Sequence, residues 1–353
     1  MSQHPHRPER ILITGYGGFV ALYLARACAR RYPQAQMYGL VHEPSLPPRP
    51  ALPPDDPSGD PGGEPVGDQS TPAVTAVAGD ITDGSRLRAI MLETRPDVIF
   101  HLAAASSVAA SWLQPAEVLR VNAGGFIQLA ESVRTLRANG IAPRIVVSGS
   151  GEQYGLVRPE ENPVREDTLP RPNNPYAVSK VAQDLYAFQY HRAYGLDVIR
   201  ARAFNHFGPG QREDFVIPSF ARQIARIEAG RTEPVILVGN LSAQRDFLPV
   251  EDVVEAYLAL AEHGQAGEAY NIGSGSACSI EELLQRLLAM ARATITVRVD
   301  PARFRPADVP VLCADISKIT RDTPWRPSGA LDDSLRATLD YWRRVEAPPA
   351  ARH

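Results

Sequence analysis

Tyr176 and Lys180 lie four residues apart in "NNPYAVSKVAQDLYAFQYHRAYG", residues 173–195. A free tyrosine has a pKa of about 10 and parts with its proton reluctantly at neutral pH. On a helix, residues at i and i+4 share a face, so an ammonium can stand beside the phenol and favour its ionised form. The positive end of the helix adds a little to the same effect. Such a pair could exchange a proton near neutrality, as general acid–base chemistry requires. The spacing suits an ordinary surface helix equally well, so the chemistry needs company.

The helix is well marked. Asn174 is a good N-cap, and Pro175 suits the first helical position, where its missing N–H costs nothing. Val178, Val181, Ala182, Leu185 and Phe188 recur at helical spacing and give an apolar face, while Tyr176, Lys180 and Asp184 form another stripe.

A second chemical feature opens the chain. "RILITGYGGFVALYLARACARR", residues 10–31, reads as a strand (Ile11 to Thr14), a glycine turn and a helix. The turn is Gly15-x-x-Gly18-x-x-Ala21. Glycines there let a pyrophosphate approach the backbone, and the helix start offers N–H groups. The motif gains weight from its place between strand and helix. Strand patterns then follow at "AQMYGLV", "AVTAVAGDIT", "DVIFHLAA", "RIVVSGS" and "DVIRARAF", with helical stretches "SRLRAIMLETR" and "PAEVLRVNAGGFIQLAESVRTLRAN" among them. This alternation predicts an α/β fold, a Rossmann-type doubly wound parallel sheet. Ligands bind at the carboxyl edge of such sheets, where Asp80, Ala103 and Ser148 fall. Asp80 reads either as an adenosine contact or as a turn residue.

The chain has 353 residues, 44% hydrophobic and 22% charged, enough for one large or two moderate domains. Its net charge of −3, with no basic block, argues against nucleic acid or an anionic membrane as partner. The first ten residues lack an apolar signal segment, and no run is long enough for a bilayer span. Cys28, Cys278 and Cys313 are isolated, so they read as buried hydrophobes in a reducing cytoplasm, and no metal site is expected. Residues 43–71 are rich in Pro, Gly and Asp and hold six acids against Arg49, which predicts a flexible loop.

Taken together, "TGYGGFV", "GDITD", "HLAAASSV", "SGSGEQYG" and "PYAVSK" resemble the extended short-chain dehydrogenase/reductase family. The resemblance implies a hydride-transfer site in which Ser150 joins Tyr176 and Lys180. It places the dinucleotide on Gly15, Gly18, Phe19, Val20, His42, Asp80, Ile81, Leu102, Ala103, Ala105, Ser148, Ala203 and His206, with Tyr176 and Lys180 completing the set. The later segments "FNHFGPGQ", "VGNLSAQRDFLPVEDVVEAYLAL" and "DPARFRPADVPVLCADISKITRDTPWRPSGAL" resemble the GDP-mannose branch. Within it, the chain is more similar to reductases of GDP-4-dehydro-6-deoxy-mannose, which make GDP-rhamnose, than to 4,6-dehydratases. The likeness implies that Ser107, Asn205, Val216, Arg222, Arg245, Arg305 and Asp308 contact the nucleotide-diphosphate sugar. Arginines suit bidentate phosphate binding, although each is also compatible with a solvated surface charge. Glu152 stands where dehydratases carry a ring-proton base, and it does not discriminate between the two activities. A 4-epimerase shares the same site, and a non-catalytic dinucleotide sensor could share the fold.

Cofactor choice turns on the end of the second strand, "VHEP", where His42 could meet a 2′-phosphate or Glu43 a ribose. The likeness favours NADP(H), with NAD(H) open. The resemblance further implies a homodimer built on helices near 115–138 and 176–194. The expected domains are a Rossmann unit of residues 1–203 plus about 245–275, and a smaller substrate-binding unit of residues 204–244 and 276–353.

Overall fold

The computed structural model describes residues 7–42, 73–304 and 309–347. The acidic Pro/Gly segment expected at 43–71 therefore lies outside the described residues, as do Arg305 and Asp308. Six parallel strands come first: β1 (Arg10–Thr14), β2 (Gln36–Val41), β3 (Val74–Ala78), β4 (Val98–His101), β5 (Arg144–Ser148) and β6 (Val198–Ala203). They lie side by side in the order β6-β5-β4-β1-β2-β3. The direction of winding reverses between β1 and β4, which opens a crevice at the carboxyl edge there. The chain then forms β7 (Asn205–Phe207), β8 (Val235–Val238) and β9 (Gln244–Pro249), and returns as β10 (Ala269–Ile272), parallel to β6. β11 (Ala277–Ser279) pairs antiparallel with β9, β12 (Thr296–Val299) runs parallel to β8, and β13 (Val311–Leu312) runs parallel to β9.

Helices α1 (Phe19–Arg31), α2 (Gly84–Thr94), α3 (Val108–Leu113), α4 (Pro115–Leu119), α5 (Gly125–Leu136), α6 (Pro175–Tyr194), α7 (Val216–Glu228) and α8 (Val250–His263) follow in chain order. The last ones are α9 (Ile280–Ala289), α10 (Ser317–Asp322) and α11 (Leu331–Glu346). The pleat sorts their partners. Ile11 and Ile13 face a core shared with Leu24, Val253 and Leu260 of α1 and α8. Leu12 faces the opposite core with Leu87, Phe126, Leu129 and Val133 of α2 and α5. Each such burial is worth about 1.5–3 kcal/mol. A third core joins α7, α9 and α11 through Phe220, Ile224, Leu283, Leu287, Leu335 and Leu339, packed on Ile236 and Val238 of β8.

Two local outcomes shape the site. The stretch from Pro115 to Asn139 reads as one helix in sequence, yet it divides into α4, a π-helical turn over Arg120–Gly124, and α5. Gly124 and Gly125 weaken the regular ladder there, and the widened turn lets Asn122 bond inward. Helix α6 is capped as its sequence predicts: Asn174 Oδ1 accepts from Ala177 N at 2.8 Å, and Gly195 ends it at φ 64°.

The face of α6 that packs inward is the polar one. Lys180 and Asp184 are 2% and 5% exposed, whereas Val178, Leu185 and Phe188 are 47%, 58% and 43% exposed. Periodicity gives the angle of an apolar stripe but not which side meets the sheet. Here the inward charges are satisfied by hydrogen bonds, so their burial is tolerated.

Candidate active site

The residues of the glycine turn form a cradle at the crevice. Gly15 has φ 71°, and a Cβ on it would come within 2.7 Å of Ala103 Cα. A Cβ on Gly18 would meet Gly15 O at 2.9 Å. Only bare backbone fits, which is the condition for a pyrophosphate to approach the start of α1, where Phe19 and Val20 begin the helix. These residues fit a dinucleotide. Thr14 links the turn to the next strand: its Oγ1 accepts from Ala103 N at 3.2 Å and lies 3.0 Å from His101 Nδ1.

The other expected cofactor residues line the same edge. His42 follows β2, with Nδ1 3.9 Å from Asp80 Oδ2. Burial alone would raise the Asp80 pKa, but hydrogen bonds from Thr82 and the charges of His42 and Arg120 hold it below the usual carboxylate value. Ile81 turns into the core against Gly125. Leu102, Ala103 and Ala105 follow β4, Ser148 ends β5 and Ala203 ends β6. His206 on β7 lies parallel to the Phe19 ring, centroids 6.4 Å apart. Burial lowers the His206 pKa, partly offset by its bond to Phe204 O.

The reactive groups converge beside this edge. Ser150 caps a short 3₁₀ turn, Gly151–Tyr154, with its Oγ accepting from Glu152 N at 3.2 Å. The Ser150 hydroxyl lies close enough to the Tyr176 phenol to favour its ionised form. Glu152 is close enough for its charge to act on Tyr176, and its Oε2 accepts from Asn174 Nδ2 at 3.4 Å. Lys180 Nζ donates to Ser148 O at 2.7 Å and to Gln183 Oε1 at 2.9 Å.

The lowered phenol pKa expected from sequence is not found. Burial pushes Tyr176 up, the Ser150 hydroxyl opposes this, and the Glu152 charge and Tyr257 add to the rise. Lys180 does not reverse the balance, because burial pulls its own pKa down to about 7. The site holds a firmly protonated phenol and an ammonium poised near neutrality.

Several participants escaped sequence reading. Tyr257 of α8 reaches Ser148, hydroxyl to hydroxyl at 3.0 Å, and burial pushes it up to about 12. Asn122 accepts from Ala105 N at 2.8 Å and donates to Ser179 Oγ at 2.8 Å, tying the strand-end loop to α6. The Gly-Gly pair after it was the available signal for a break in that helix. Nothing local marks Tyr257.

On the substrate side, Ser107 caps α3 and accepts from Ala110 N at 3.2 Å. Asn205 pairs with Phe247, and Val216 begins α7. Arg245 donates to Gln244 O at 2.8 Å and Val309 O at 2.5 Å. Arg222 is ion-paired with Glu213 and with Glu346 (2.7 Å to its Oε1), and it lies over the Trp342 ring.

GDP-6-deoxy-D-mannose reductase of Pseudomonas aeruginosa is 39% identical over 247 residues, covering 70% of this chain and 80% of that one. The structure of RMD from Pseudomonas aeruginosa complexed with NADPH superposes with a TM-score of 0.77 at 31% identity, over 96% of this chain and 99% of the other. UDP-glucose 4-epimerase of Thermus thermophilus in complex with NAD gives a TM-score of 0.76 at 26% identity, over 95% and 99% of the two chains. The family described as GDP-mannose 4,6 dehydratase matches residues 12–338. With that span covering both the glycine cradle and the Ser150–Tyr176–Lys180 cluster, the chain belongs to the GDP-mannose 4,6-dehydratase family of extended short-chain dehydrogenase/reductase enzymes.

Proposed function

We propose that the protein reduces the C4 ketone of GDP-4-dehydro-6-deoxy-D-mannose to give GDP-D-rhamnose, with NADPH preferred and NADH as the second donor. The neighbouring Ser150 and Tyr176 hydroxyls, set beside buried Lys180 at the edge that holds the Gly15–Ala103 cradle, carry this reading. The relative's name supplies the sugar. When bound, reduced nicotinamide supplies the hydride. The protein supplies the rest. Tyr176 gives its phenolic proton to the C4 oxygen, and Ser150 donates a hydrogen bond to the same oxygen as charge builds on it. Lys180 holds the sugar hydroxyls of the dinucleotide and replenishes the proton near neutral pH. His42, a cationic group when protonated, suits the extra phosphate of NADPH. Arg245, with Arg305 from the adjoining segment, offers guanidinium groups for the diphosphate, Asp308 meets the nucleoside, and Ser107 and Asn205 frame the sugar, with Val216 and Arg222 on the same substrate side.

A second reading, dehydration of GDP-mannose, draws on one observation: Glu152 stands beside Tyr176, where a carboxylate could take a ring proton. Purified protein incubated with GDP-4-dehydro-6-deoxy-D-mannose and each reduced cofactor decides between them. The expected result is consumption of NADPH with formation of GDP-rhamnose. Turnover of GDP-mannose without added reduced cofactor would establish dehydration and overturn the reductase reading.

The outward apolar face of α6, with Trp112 and Leu113 of α3 and Leu119 of α4 also exposed, supports a homodimer packed through these helices. Among the described residues no helix is long and apolar enough to cross a membrane. The three free cysteines suit the reducing cytoplasm, where we place the enzyme.

A further inference from the structure

Of the thirty-seven Lys and Arg residues, only Lys180 and Lys318 are lysine. The two are held differently. Lys318 Nζ meets Glu268 Oε2 at 2.6 Å and lies over the Tyr270 ring. Lys180 is buried and, among the described residues, meets no carboxylate: its hydrogen-bond acceptors are the Ser148 carbonyl and Gln183 Oε1. The titratable groups around it leave that balance undisturbed. His101 on β4 is buried and neutral, and Tyr176 on the same helix stays protonated beside Ser150. Asp184, one turn on, is committed to Arg200 and Arg202, and Tyr257 of α8 reaches Ser148 Oγ.

Gln183 is only 1% exposed, and among the described residues its Nε2 has no hydrogen-bond partner. A buried polar group left unpaired carries a desolvation cost that an apolar residue at the same helix position would not incur. The bond from its oxygen to Lys180 is the compensation the structure shows. We propose that Gln183 is a positioning residue of the reaction, its carboxamide oxygen and the Ser148 carbonyl forming an uncharged cradle that fixes the Lys180 ammonium one helical turn from Tyr176. Neutral acceptors orient the ammonium without the strong hold of a carboxylate. Its proton therefore stays exchangeable at the pH where Tyr176 must be resupplied. The consequence for turnover rests on the reductase reading, but the cradle does not.

The scarcity of lysine makes the test direct. Full-length protein labelled with ε-carbon-13 lysine shows two side-chain resonances by NMR, and Lys318→Arg assigns them. The wild-type Lys180 resonance should titrate with a midpoint of about 7. Gln183→Glu supplies a charge and raises that midpoint by about one unit or more, a tenfold gain in proton affinity. Gln183→Leu removes an acceptor and lowers it. An unchanged Lys318 signal shows that each variant is folded. If both folded variants leave the Lys180 midpoint where it is, Gln183 only fills space and the proposal is wrong. Because no substrate is present, this outcome is independent of whichever sugar the enzyme reduces.

Discussion

Arg202 lays its guanidinium edge-on against Asp184, with Nε 3.1 Å from Oδ1 and a terminal nitrogen 2.9 Å from Oδ2. Its other terminal nitrogen reaches Tyr154 OH at 2.9 Å, at the end of the turn that Ser150 begins. Helix α6 and the Ser150 turn are thus joined through one buried ion pair. Asp184→Asn would leave Arg200 and Arg202 incompletely neutralised inside the protein. The expected loss is about 3–5 kcal/mol of folding stability, read by urea unfolding. A loss below about 1 kcal/mol would place the pair in effective contact with water.

Tyr176→Phe keeps the ring and removes the transferable proton. Turnover should fall by about 10²–10⁴ while NADPH affinity, measured by fluorescence titration, is retained. Retained turnover would assign the proton to another group.

Gly15 combines φ 71° with close approach to Ala103. Gly15→Ala adds a methyl that meets the Ala103 backbone, at a conformational cost of about 1–2 kcal/mol. NADPH binding by calorimetry should be lost or greatly weakened, and binding at wild-type affinity would remove this turn from the dinucleotide site.

His101 makes acid stability a measurable signature. Burial, with the Lys180 charge, lowers its pKa to about 3, whereas an unfolded histidine titrates near 6.5. Between these values the unfolded chain binds the proton and the native protein does not. Stability is therefore lost as pH falls below about 6.5, at up to about 1.4 kcal/mol per pH unit from this group. His101→Gln should flatten the fall of unfolding free energy between about pH 6 and 4. Equal slopes in both proteins would mean that His101 is protonated in the native state.

Leu185→Glu places a charge on the outward face of α6, where the wild-type side chain is 58% exposed. Light scattering should show a dimer for the wild type and a monomer for the variant, since a buried unpaired charge opposes association. A monomeric wild type would rule out that interface.

The glycine turn, the strand alternation and the Tyr176–Lys180 spacing were legible in sequence because each is a local pattern with a fixed spacing, whereas Ser150 entered only through the family resemblance. What sequence could not supply depends on remote packing. Tyr257 reaches Ser148 across 109 positions, and Asn122 turns inward only because a π-turn rephases its helix. The direction of the Tyr176 shift failed for the same reason: a neighbouring ammonium can be read from spacing, but burial cannot. The inward side of α6 followed from Asp184 finding Arg200 and Arg202, which lie on a strand sixteen and eighteen residues later.

One helix carries Tyr176 and Lys180 on its inner side and Val178, Leu185 and Phe188 on its outer side. A second subunit gripping the outside would also steady the register of Tyr176. Specific activity would then depend on enzyme concentration, falling on dilution as subunits part and recovering when they meet again.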